Sequence, residues 1–429
     1  MYKFAHIADC HIGAQKYPEL KELELKAFNV CIDECIKENV DFIIIAGDLF
    51  HSNIPNMDVV KETVGKLREV KEMGIPIYMS YGSHDFSPNQ TSIIDVITES
   101  GLLKNIAQGE IIGDNIDDEK LKLNFTIDPV TKAKITGIYG RKNGIEKHYF
   151  EILDRDTLEN EEGFKIFVFH TSIEDLIPKF LSKMEGVPLH YFPIGFNYYA
   201  GGHIHKNIIE EKMEDFGPII YPGPLFAGDM RDLESNAKGG KEGKRGFYIV
   251  EFDDKNIYPK FNEIKLADYE FLPFDANTKT SYQLNEEIIE KVTNNDYNGK
   301  IVIMKVKGHL VSGKTSDIDF NKIREILRNN GVLYIGINHH SLVSKEFAEV
   351  RLEGETNEEI EENLLKENII NAKVNYESLQ GEKGATLALN LIDIIKESQK
   401  PNEKKSDYTN RILNNALELL DIEGTIDDI

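Results

Sequence analysis

Residues 41–51, with the sequence DFIIIAGDLFH, limit the possible fold of this chain more than any other stretch. The short apolar run from 42 to 46 is typical of a strand buried on both faces of a sheet. Gly47 follows it directly, and glycine permits the tight turn that would place the Asp48 carboxylate at the carboxyl end of a core strand. Ligands of open α/β sheets bind at that end, so we expect a functional site there.

Four other segments repeat this arrangement, because each ends an apolar run with side chains that bind metal ions. They are Asp9-Cys10-His11, Gly82-Ser83-His84-Asp85, His170 at the end of FKIFVFH, and Gly201-Gly202-His203-Ile204-His205. Each motif is weak by itself, whereas five in this order, each after a predicted core strand, indicate one shared site. The alternative, that these are structural or surface histidines, fits the combined pattern poorly. We expect the six histidines outside these segments to be structural.

The candidate ligands offer only oxygen and nitrogen, a set that suits manganese, iron or zinc. Seven such groups are too many for one ion and suit two ions that share a ligand. Asp48 is the natural bridge, because a carboxylate has two oxygens. Two cations about 3.5–4 Å apart would bind a phosphate and activate a bridging water as the nucleophile. His203 and His205 lie two apart, so on an extended segment both would face the same side.

His84 remains as a group near the site that is not needed as a ligand. An imidazole in that place is suited to stabilise charge in the transition state or to protonate the leaving oxygen. Asp85 is a candidate to orient it. We expect Cys10 to point away from the metals, because alternate residues of an extended segment face opposite sides. The three cysteines are expected to be reduced thiols of an intracellular protein.

Strands and helices alternate over the first 80 residues, which predicts an α/β fold with right-handed crossovers. Expected strands cover 2–8, 42–46, 75–79, 164–169, 198–200 and 219–221, expected helices cover 20–38, 57–73 and 91–103, and 247–252 with 259–266 are expected to form a closing pair of strands. After about residue 270, strands at 300–306 and 332–337 and a helix at 319–329 indicate a small α+β domain. The last predicted helix, 408–420, carries an apolar stripe.

The 429 residues carry a net charge of -24, and this length predicts two or three domains. The acidic balance argues against nucleic-acid binding by the whole surface, but it leaves room for a metal or a local basic groove. Candidates for such a groove are Lys206, beside the H-x-H pair, and a loop with Lys238, Lys241, Lys244 and Arg245. The first residues show no signal-peptide pattern, and no apolar run approaches the ~20 residues that cross a bilayer. We therefore expect a cytoplasmic protein without a membrane contact.

Together, the five segments resemble the motifs of the calcineurin-like metallophosphoesterase superfamily, which are D-x-H, G-D, G-N-H-D, H and G-H-x-H. Within it they are most similar to the DNA double-strand break repair nucleases of the meiotic-recombination-eleven and SbcD type. Serine/threonine protein phosphatases carry an arginine soon after the aspartate of the second motif, whereas this chain has GDLFHSN, with His51. The resemblance covers about the first 225 residues well and extends beyond them in layout.

The resemblance implies two Mn2+ ions per subunit and a specific division of the ligands. One ion would be held by Asp9, His11, Asp48 and His205, and the other by Asp48, Ser83, His170 and His203. His84 and His51 would be the catalytic histidines, with His51 tied to exonuclease action. Ser83 stands where the family has asparagine. Because a hydroxyl is shorter and a poorer ligand than an amide oxygen, the second ion is expected to bind more weakly or through a water.

The resemblance also implies an architecture and partners. Residues 1–270 would form a metallophosphoesterase nuclease domain with two β-sheets flanked by helices. Residues 271–345 would form a capping domain that shapes the DNA groove, and 346–429 a linker and a helical segment that docks on an SMC-like ATPase. The nuclease would be a homodimer, with the helices at 57–73 and 91–103 as a candidate interface. It would act as an exonuclease on duplex ends and as an endonuclease, with duplex ends and single strands of DNA as its partners, in a nucleoid-associated complex.

Two other functions are left open by the residues themselves. A phosphomonoesterase or cyclic-nucleotide phosphodiesterase of the same superfamily would use a similar metal pair. The missing arginine motif and the additional C-terminal domains disfavour it. A binding scaffold with a vestigial metal site is disfavoured by the nearly complete set of ligands.

Overall fold

The computed structural model describes residues 1–87, 91–113, 118–141, 144–177, 186–211, 213–344, 381–400 and 405–420. The strands are β1 (Tyr2–Ile7), β2 (Phe42–Ala46), β3 (Ile77–Ser80), β4 (Lys104–Asn105), β5 (Gly109–Ile112), β6 (Lys120–Leu123), β7 (Thr126–Ile127), β8 (Lys134–Ile138), β9 (Lys165–His170), β10 (Tyr198–Gly202), β11 (Ile208–Glu210), β12 (Ile219–Tyr221), β13 (Gly246–Phe252), β14 (Ile257–Glu263), β15 (Tyr269–Asp275), β16 (Ile301–Leu310) and β17 (Tyr334–Ser344). The helices are α1 (Pro18–Lys37), α2 (Met57–Glu72), α3 (Ile93–Glu99), α4 (Glu146–Glu151), α5 (Arg155–Glu159), α6 (Met230–Lys238), α7 (Ser281–Thr293), α8 (Phe320–Asn329), α9 (Gly381–Lys396) and α10 (Lys405–Leu419).

The chain divides into two compact units, Met1–Gly308 with Ser316–Leu342, and His309–Thr315 with Val343–Ile429. Within the described residues, the first unit contains two six-stranded sheets. Their strand orders are β14-β13-β1-β2-β3-β4 and β11-β12-β10-β9-β8-β7. Strands β1 to β4 are mutually parallel, and so are β8, β9, β10 and β12. The predicted α/β fold is therefore confirmed, and the carboxyl ends of β1, β2 and β3 lie at one edge of their sheet.

The alternation of side chains along β2 shows how the layers form. Phe42, Ile44 and Ala46 belong to the apolar core between the two sheets, while Ile43 and Ile45 pack in the core that includes α1 and α2. Successive strand residues point to opposite faces, so an unbroken apolar strand can be buried on both sides. The outer face of the second sheet packs against α4 and α5 in a third core.

The structure differs from the predicted secondary structure at the helix 91–103 and at elements that were not predicted, among them α6 and β15. The helix predicted at 91–103 is shorter: it starts after the Ser92 cap and stops at Ser100, and Gly101 then adopts a φ of 72° that a helix cannot continue. Strand β15 contains Pro273, a residue that is unfavourable in a central strand. In the structure β15 is an edge strand of the sheet β15-β16-β17, where a missing N–H donor is tolerated.

Strands β15 to β17 and helices α7 and α8 alternate along the chain, as expected of a small α+β element after residue 270. The three-domain division itself stays a prediction. Of residues 346–429, the structure describes 381–400 and 405–420, where α9 and α10 are joined by the Tyr408 hydroxyl, which donates to the Glu397 carbonyl at 2.9 Å. All three cysteines are free and buried. None of the helices in the described ranges combines the length and apolarity needed to cross a bilayer.

Candidate metal centre

The predicted site residues lie at one edge of the two sheets, where their strands end. Asp9 and His11 follow β1, Asp48 and His51 follow β2, Ser83 and His84 follow β3, His170 ends β9, and His203 and His205 lie at the end of β10. The two sheets meet here, because the His170 Nδ1 atom lies 2.8 Å from the Ala46 carbonyl oxygen at the end of β2. Segments that are distant along the chain thus form one cluster.

Four of these residues have strained backbone conformations. The φ angles of Asp9, His11, Asp48 and His203 are 51°, 45°, 54° and 91°, in the left-handed region that side chains disfavour. Hydrogen bonds between the turns after β1 and β2 hold this geometry: Asp9 N donates to Gly47 O at 3.1 Å, and His11 N donates to Asp48 O at 2.9 Å. Strain of this kind concentrates at functional sites, where the surrounding structure maintains it.

Two glycines allow the turns to approach closely. A Cβ on Gly82 would lie 2.2 Å from Asp48 Oδ1, and a Cβ on Gly202 would lie 2.0 Å from Ala46 O. Both distances are far below van der Waals contact, and backbone or a site carboxylate forms the opposing surface. The glycines of GSHD and GGHIH are therefore needed for the close approach of neighbouring segments.

Asp9, His11 and His205 form the first group of potential ligands, with ligand atoms within 4.8 Å of one another. The Nε2 atoms of His11 and His205 are 2.9 Å apart. The backbone N–H of His203 donates to both oxygens of Asp9, at 2.9 and 3.0 Å, which fixes the orientation of that carboxylate. A metal ion between these three side chains would replace a histidine–histidine contact with ligand bonds.

Asp9, Asp48 and His170 form the second group within 4.8 Å. Asp48 Oδ2 lies 3.2 Å from His170 Nε2 and 3.6 Å from His11 Nε2. One carboxylate oxygen therefore lies between a histidine of each group. This is the position expected of a ligand shared by two ions.

The centre combines buried carboxylates with imidazoles. Burial raises the pKa of Asp9. Burial also disfavours the charge on Asp48, but the neighbouring His170 imidazole holds the Asp48 pKa well below its usual range. In turn, burial opposes the charge on His170, yet Asp48 and Asp9 raise the His170 pKa to about 10. The carboxylates thus require a compensating positive charge, and a divalent cation would take the place of the proton on His170.

His170 also has the hydrogen-bonding pattern of a metal ligand. Its Nδ1 is held by the Ala46 carbonyl, whereas its buried Nε2 faces the Asp48 carboxylate at 3.2 Å without the geometry of a regular hydrogen bond. A backbone carbonyl on one ring nitrogen commonly orients the other nitrogen toward a metal. The donor set of oxygen and nitrogen atoms fits manganese, iron or zinc. Ser83 lies half-buried in the loop after β3, next to His84.

His84 and His51 lie at the exposed side of the cluster. The backbone N–H of His84 donates to Asp48 Oδ1 at 2.8 Å, and its Nδ1 lies 2.6 Å from the His51 carbonyl oxygen. The two imidazole rings stack with centroids 4.9 Å apart. The expectation that Asp85 orients the His84 ring was wrong. The Asp85 carboxylate points inward and accepts the N–H groups of Asp48 and Gly82 at 2.7 and 2.9 Å.

Asp232, near the start of α6, is a site residue that the sequence analysis missed. Its Oδ2 accepts a hydrogen bond from His205 Nδ1 at 2.8 Å, and its Oδ1 lies 3.2 Å from the Arg245 guanidinium. Arg245 also donates to the His205 carbonyl at 3.0 Å. A carboxylate on the second nitrogen of a ligating histidine fixes its ring orientation and increases its basicity. An acid in the first turn of a helix usually indicates capping, so the sequence offered no distinct signal.

The prediction that this basic loop contacts DNA is therefore partly wrong. Arg245 is buried, with 4% of its surface exposed, and supports the site from within. Lys238 and Lys244 form ion pairs with Glu234 and Glu263, and Lys206 donates to the Ser235 hydroxyl at 2.6 Å. The Lys238 pair joins residues four apart on α6, whereas the partner of Lys244, Glu263 on β14, comes from another segment and could not be predicted from the charge pattern.

Residues 2–207 match the family model for calcineurin-like phosphoesterases. The match begins at β1 and ends just after His205, so it includes every predicted ligand. The fold of two sheets and the clustered carboxylates and histidines agree with it. Residues 2–207 therefore form a domain of the calcineurin-like phosphoesterase type, a class of metal-dependent hydrolases.

Several curated relatives are similar over most of the chain, and each is called DNA double-strand break repair protein Mre11. The protein of Archaeoglobus fulgidus is 26% identical over 375 residues, which is 85% of this chain and 80% of the relative. That of Methanocaldococcus jannaschii is 24% identical over 412 residues, 95% of this chain and 98% of the relative. That of Sulfurisphaera tokodaii is 26% identical over 416 residues, 95% and 96%. The resemblance to the meiotic-recombination-eleven type is thereby confirmed.

Proposed function

We propose that this protein is a metal-dependent DNA nuclease of double-strand break repair. It hydrolyses phosphodiester bonds at a centre of two divalent cations. The observation that carries the proposal is the position of Asp48 Oδ2 between His11 and His170, one histidine from each ligand group. The Mre11 relatives support DNA as the substrate and strand-break repair as the process.

In the proposed centre, one cation would be held by Asp9, His11, Asp48 and His205, and the other by Asp48, Ser83, His170 and His203. When bound, such cations bind the phosphate and lower the pKa of a water that attacks it. Side chains of the protein would supply the proton transfer and the stabilisation of charge. The His51 carbonyl accepts the His84 Nδ1–H and leaves Nε2 for the substrate. In the imidazolium form, the Nε2–H would stabilise negative charge or pass its proton to the leaving oxygen, which returns the ring to the neutral Nδ1–H form.

The proposal extends to manganese as the cation, to a homodimer and to partners. Exposed apolar side chains on α2 and α3 support these helices as the dimer interface: Met57 is 67% exposed, Met73 at the end of α2 is 61% exposed, and Val96 is 56% exposed. Residues 271–345 would cap the DNA groove, and 346–429 would dock on an SMC-like ATPase. The protein would work in the cytoplasm at the nucleoid, on duplex ends and single strands.

The test is cleavage of end-labelled duplex and single-stranded DNA with manganese, magnesium or a chelator. His84→Ala should lower the cleavage rate by about 10²–10⁴-fold while DNA binding survives, because a general acid acts on the chemical step. His148→Ala is the matched control, since this exposed histidine on α4 lies outside the five motifs. Asp48→Ala should abolish cleavage.

Two results would contradict the proposal. A His84→Ala protein that cuts at the normal rate would remove the assigned role of that residue. A wild-type protein that hydrolyses a small phosphate monoester but leaves DNA intact with every metal would favour the phosphomonoesterase alternative.

A further inference from the structure

The Arg141 side chain lies among aromatic rings and has no acidic partner within the described residues. Its guanidinium carbon is 4.0 Å from the centre of the Phe86 ring, 5.9 Å from that of Tyr139 and 5.8 Å from that of Tyr149. The Nε atom is buried and makes no hydrogen bond in the described part of the chain. In a protein of net charge -24, an arginine without a carboxylate partner is available to an anion.

Two connections hold Arg141 next to the metal centre. The preceding Gly140 packs so closely on His170 that an added Cβ would lie 2.6 Å from the His170 ring. The Arg141 N–H donates to Glu146 at 3.2 Å, and the other oxygen of Glu146 accepts the Thr171 hydroxyl at 2.9 Å. Thr171 follows His170 directly. Arg141 is therefore fixed relative to a proposed metal ligand.

Phe86 connects the same arginine to the catalytic side. It lies two residues after His84 and is 36% exposed. Stacking on Phe86 orients the guanidinium plane and leaves its N–H groups free for a planar or tetrahedral anion. Arg141 is thus connected through Gly140 to the proposed ligand His170, and through Phe86 to the segment that carries the proposed acid His84.

A cavity of about 350 Å³ lies beside the guanidinium. Tyr139, Tyr149 and Arg141 line it on one side, and Ile111 and Leu121 of the hairpin formed by β5 and β6 line it on another. Ile111 is 50% exposed, although it is apolar. Aromatic and aliphatic walls with one cation suit a flat aromatic ring that carries a phosphate.

We infer that this cavity takes the base of one unpaired nucleotide of the substrate strand, and that Arg141 binds the phosphate of that nucleotide. The inference rests on the proposed nuclease function, since the nucleotide belongs to the strand that is cut. Arginine binds phosphate oxygens through a fork of N–H groups, and tyrosine rings stack on bases irrespective of sequence. A paired base would have to leave the duplex to enter, so the cavity selects frayed ends and single strands.

The experiment measures binding of a fluorescein-labelled oligothymidylate by anisotropy, with chelator present to prevent cleavage. Arg141→Ala should weaken binding about tenfold, the order expected when a phosphate contact and an ordered stack are lost. Arg141→Lys should recover only part of it, because an ammonium cannot replace the planar fork. Ile111→Trp, which fills the cavity from its exposed wall, should also weaken binding while Arg141 is kept.

Lys37→Ala is the matched control. It also removes one positive charge, but Lys37 is exposed at the end of α1, at the opposite edge of the sheet from the metal centre. The Lys37→Ala variant should bind the oligothymidylate with the same affinity as the wild type. Thermal melting of each variant shows whether it is folded, and Ile111→Trp keeps the test decisive if Arg141→Ala does not fold.

The inference is overturned if the Arg141 and Ile111 variants bind single strands normally, or if they lose affinity equally for a blunt duplex. Competition by deoxythymidine monophosphate separates two sources of the same chemistry. If the free nucleotide displaces the strand as well as an unlabelled oligothymidylate does, the cavity is a mononucleotide site and the strand assignment is wrong. Failure of the wild type to cut DNA refutes the proposed function instead, because binding and cleavage are measured separately.

Discussion

Asp232→Asn tests whether the contact behind His205 supports the metal centre. Asparagine keeps the size of the side chain but replaces one oxygen by an NH2 group. In the structure, the two oxygens of Asp232 accept from His205, from the Gly228 N–H at 3.0 Å and from Arg245. The amide can accept on only one side, so either the histidine or the arginine then faces a donor.

The expected loss follows from these contacts. Burial opposes a charge on His205, but the hydrogen bond that His205 donates to Asp232, together with the negative charges of Asp232 and Asp9, outweighs it and raises the His205 pKa, which makes the ring a stronger ligand. Removing such a partner usually weakens metal binding by about 10–100-fold, or about 1.4–2.7 kcal/mol. Arg245 loses its carboxylate but keeps Asn236 Oδ1 at 2.6 Å and the His205 carbonyl. Unfolding free energy should therefore fall by about 3 kcal/mol, the lower end for a broken buried pair.

The assay is calorimetric titration of manganese into protein freed of metal, with denaturant unfolding of the same samples. Glu234→Gln is the control: it changes an acid on the same helix that pairs with Lys238 and Lys305 rather than with His205. It should leave metal affinity unchanged. Equal manganese affinity of Asp232→Asn and the wild type would refute the argument that Asp232 prepares His205 as a ligand.

Two further changes test the backbone around the site. Gly82→Ala should lower the cleavage rate by about 10²-fold, because its Cβ would displace the Asp48 carboxylate. Gly65→Ala is the control: Gly65 has open space around it in α2, so this change should keep the cleavage rate and add about 0.5–1 kcal/mol of stability. Equal cleavage rates for the two variants would contradict this prediction. A third change concerns Glu24, whose carboxylate accepts a hydrogen bond from the N–H of Gly13. Burial raises the pKa of Glu24 from an ordinary 4.5 to about 7. The folded chain then keeps a proton that the unfolded chain releases, so stability should fall as the pH rises from about 4.5 to 7. Between pH 5 and pH 8 the wild type should lose about 2.5 kcal/mol of unfolding free energy through this group, and Glu24→Gln should not show this loss in denaturant unfolding. An equal pH dependence for the two proteins would refute the assignment.

The strands that carry the site could be predicted because each is a continuous apolar run that ends in a glycine or a polar motif. The prediction for 42–46 coincides with β2, and that for 219–221 with β12. Such strands are buried on both faces, so their pattern does not depend on which elements cover them. The helix after Ser92 was predicted too long, because helix ends are decided by local capping and turn geometry rather than by the apolar pattern.

The ligand types and their order along the chain were properties of the sequence alone. They follow from local chemistry, since carboxylates and imidazoles after core strands must lie at the ends of those strands. The inward turn of Asp85, the burial of Arg245 beside Asp232 and the aromatic surroundings of Arg141 were decided only by the tertiary structure. These contacts join residues that are 13 to 55 positions apart, and their geometry depends on how the two sheets and α6 pack, which no local pattern encodes.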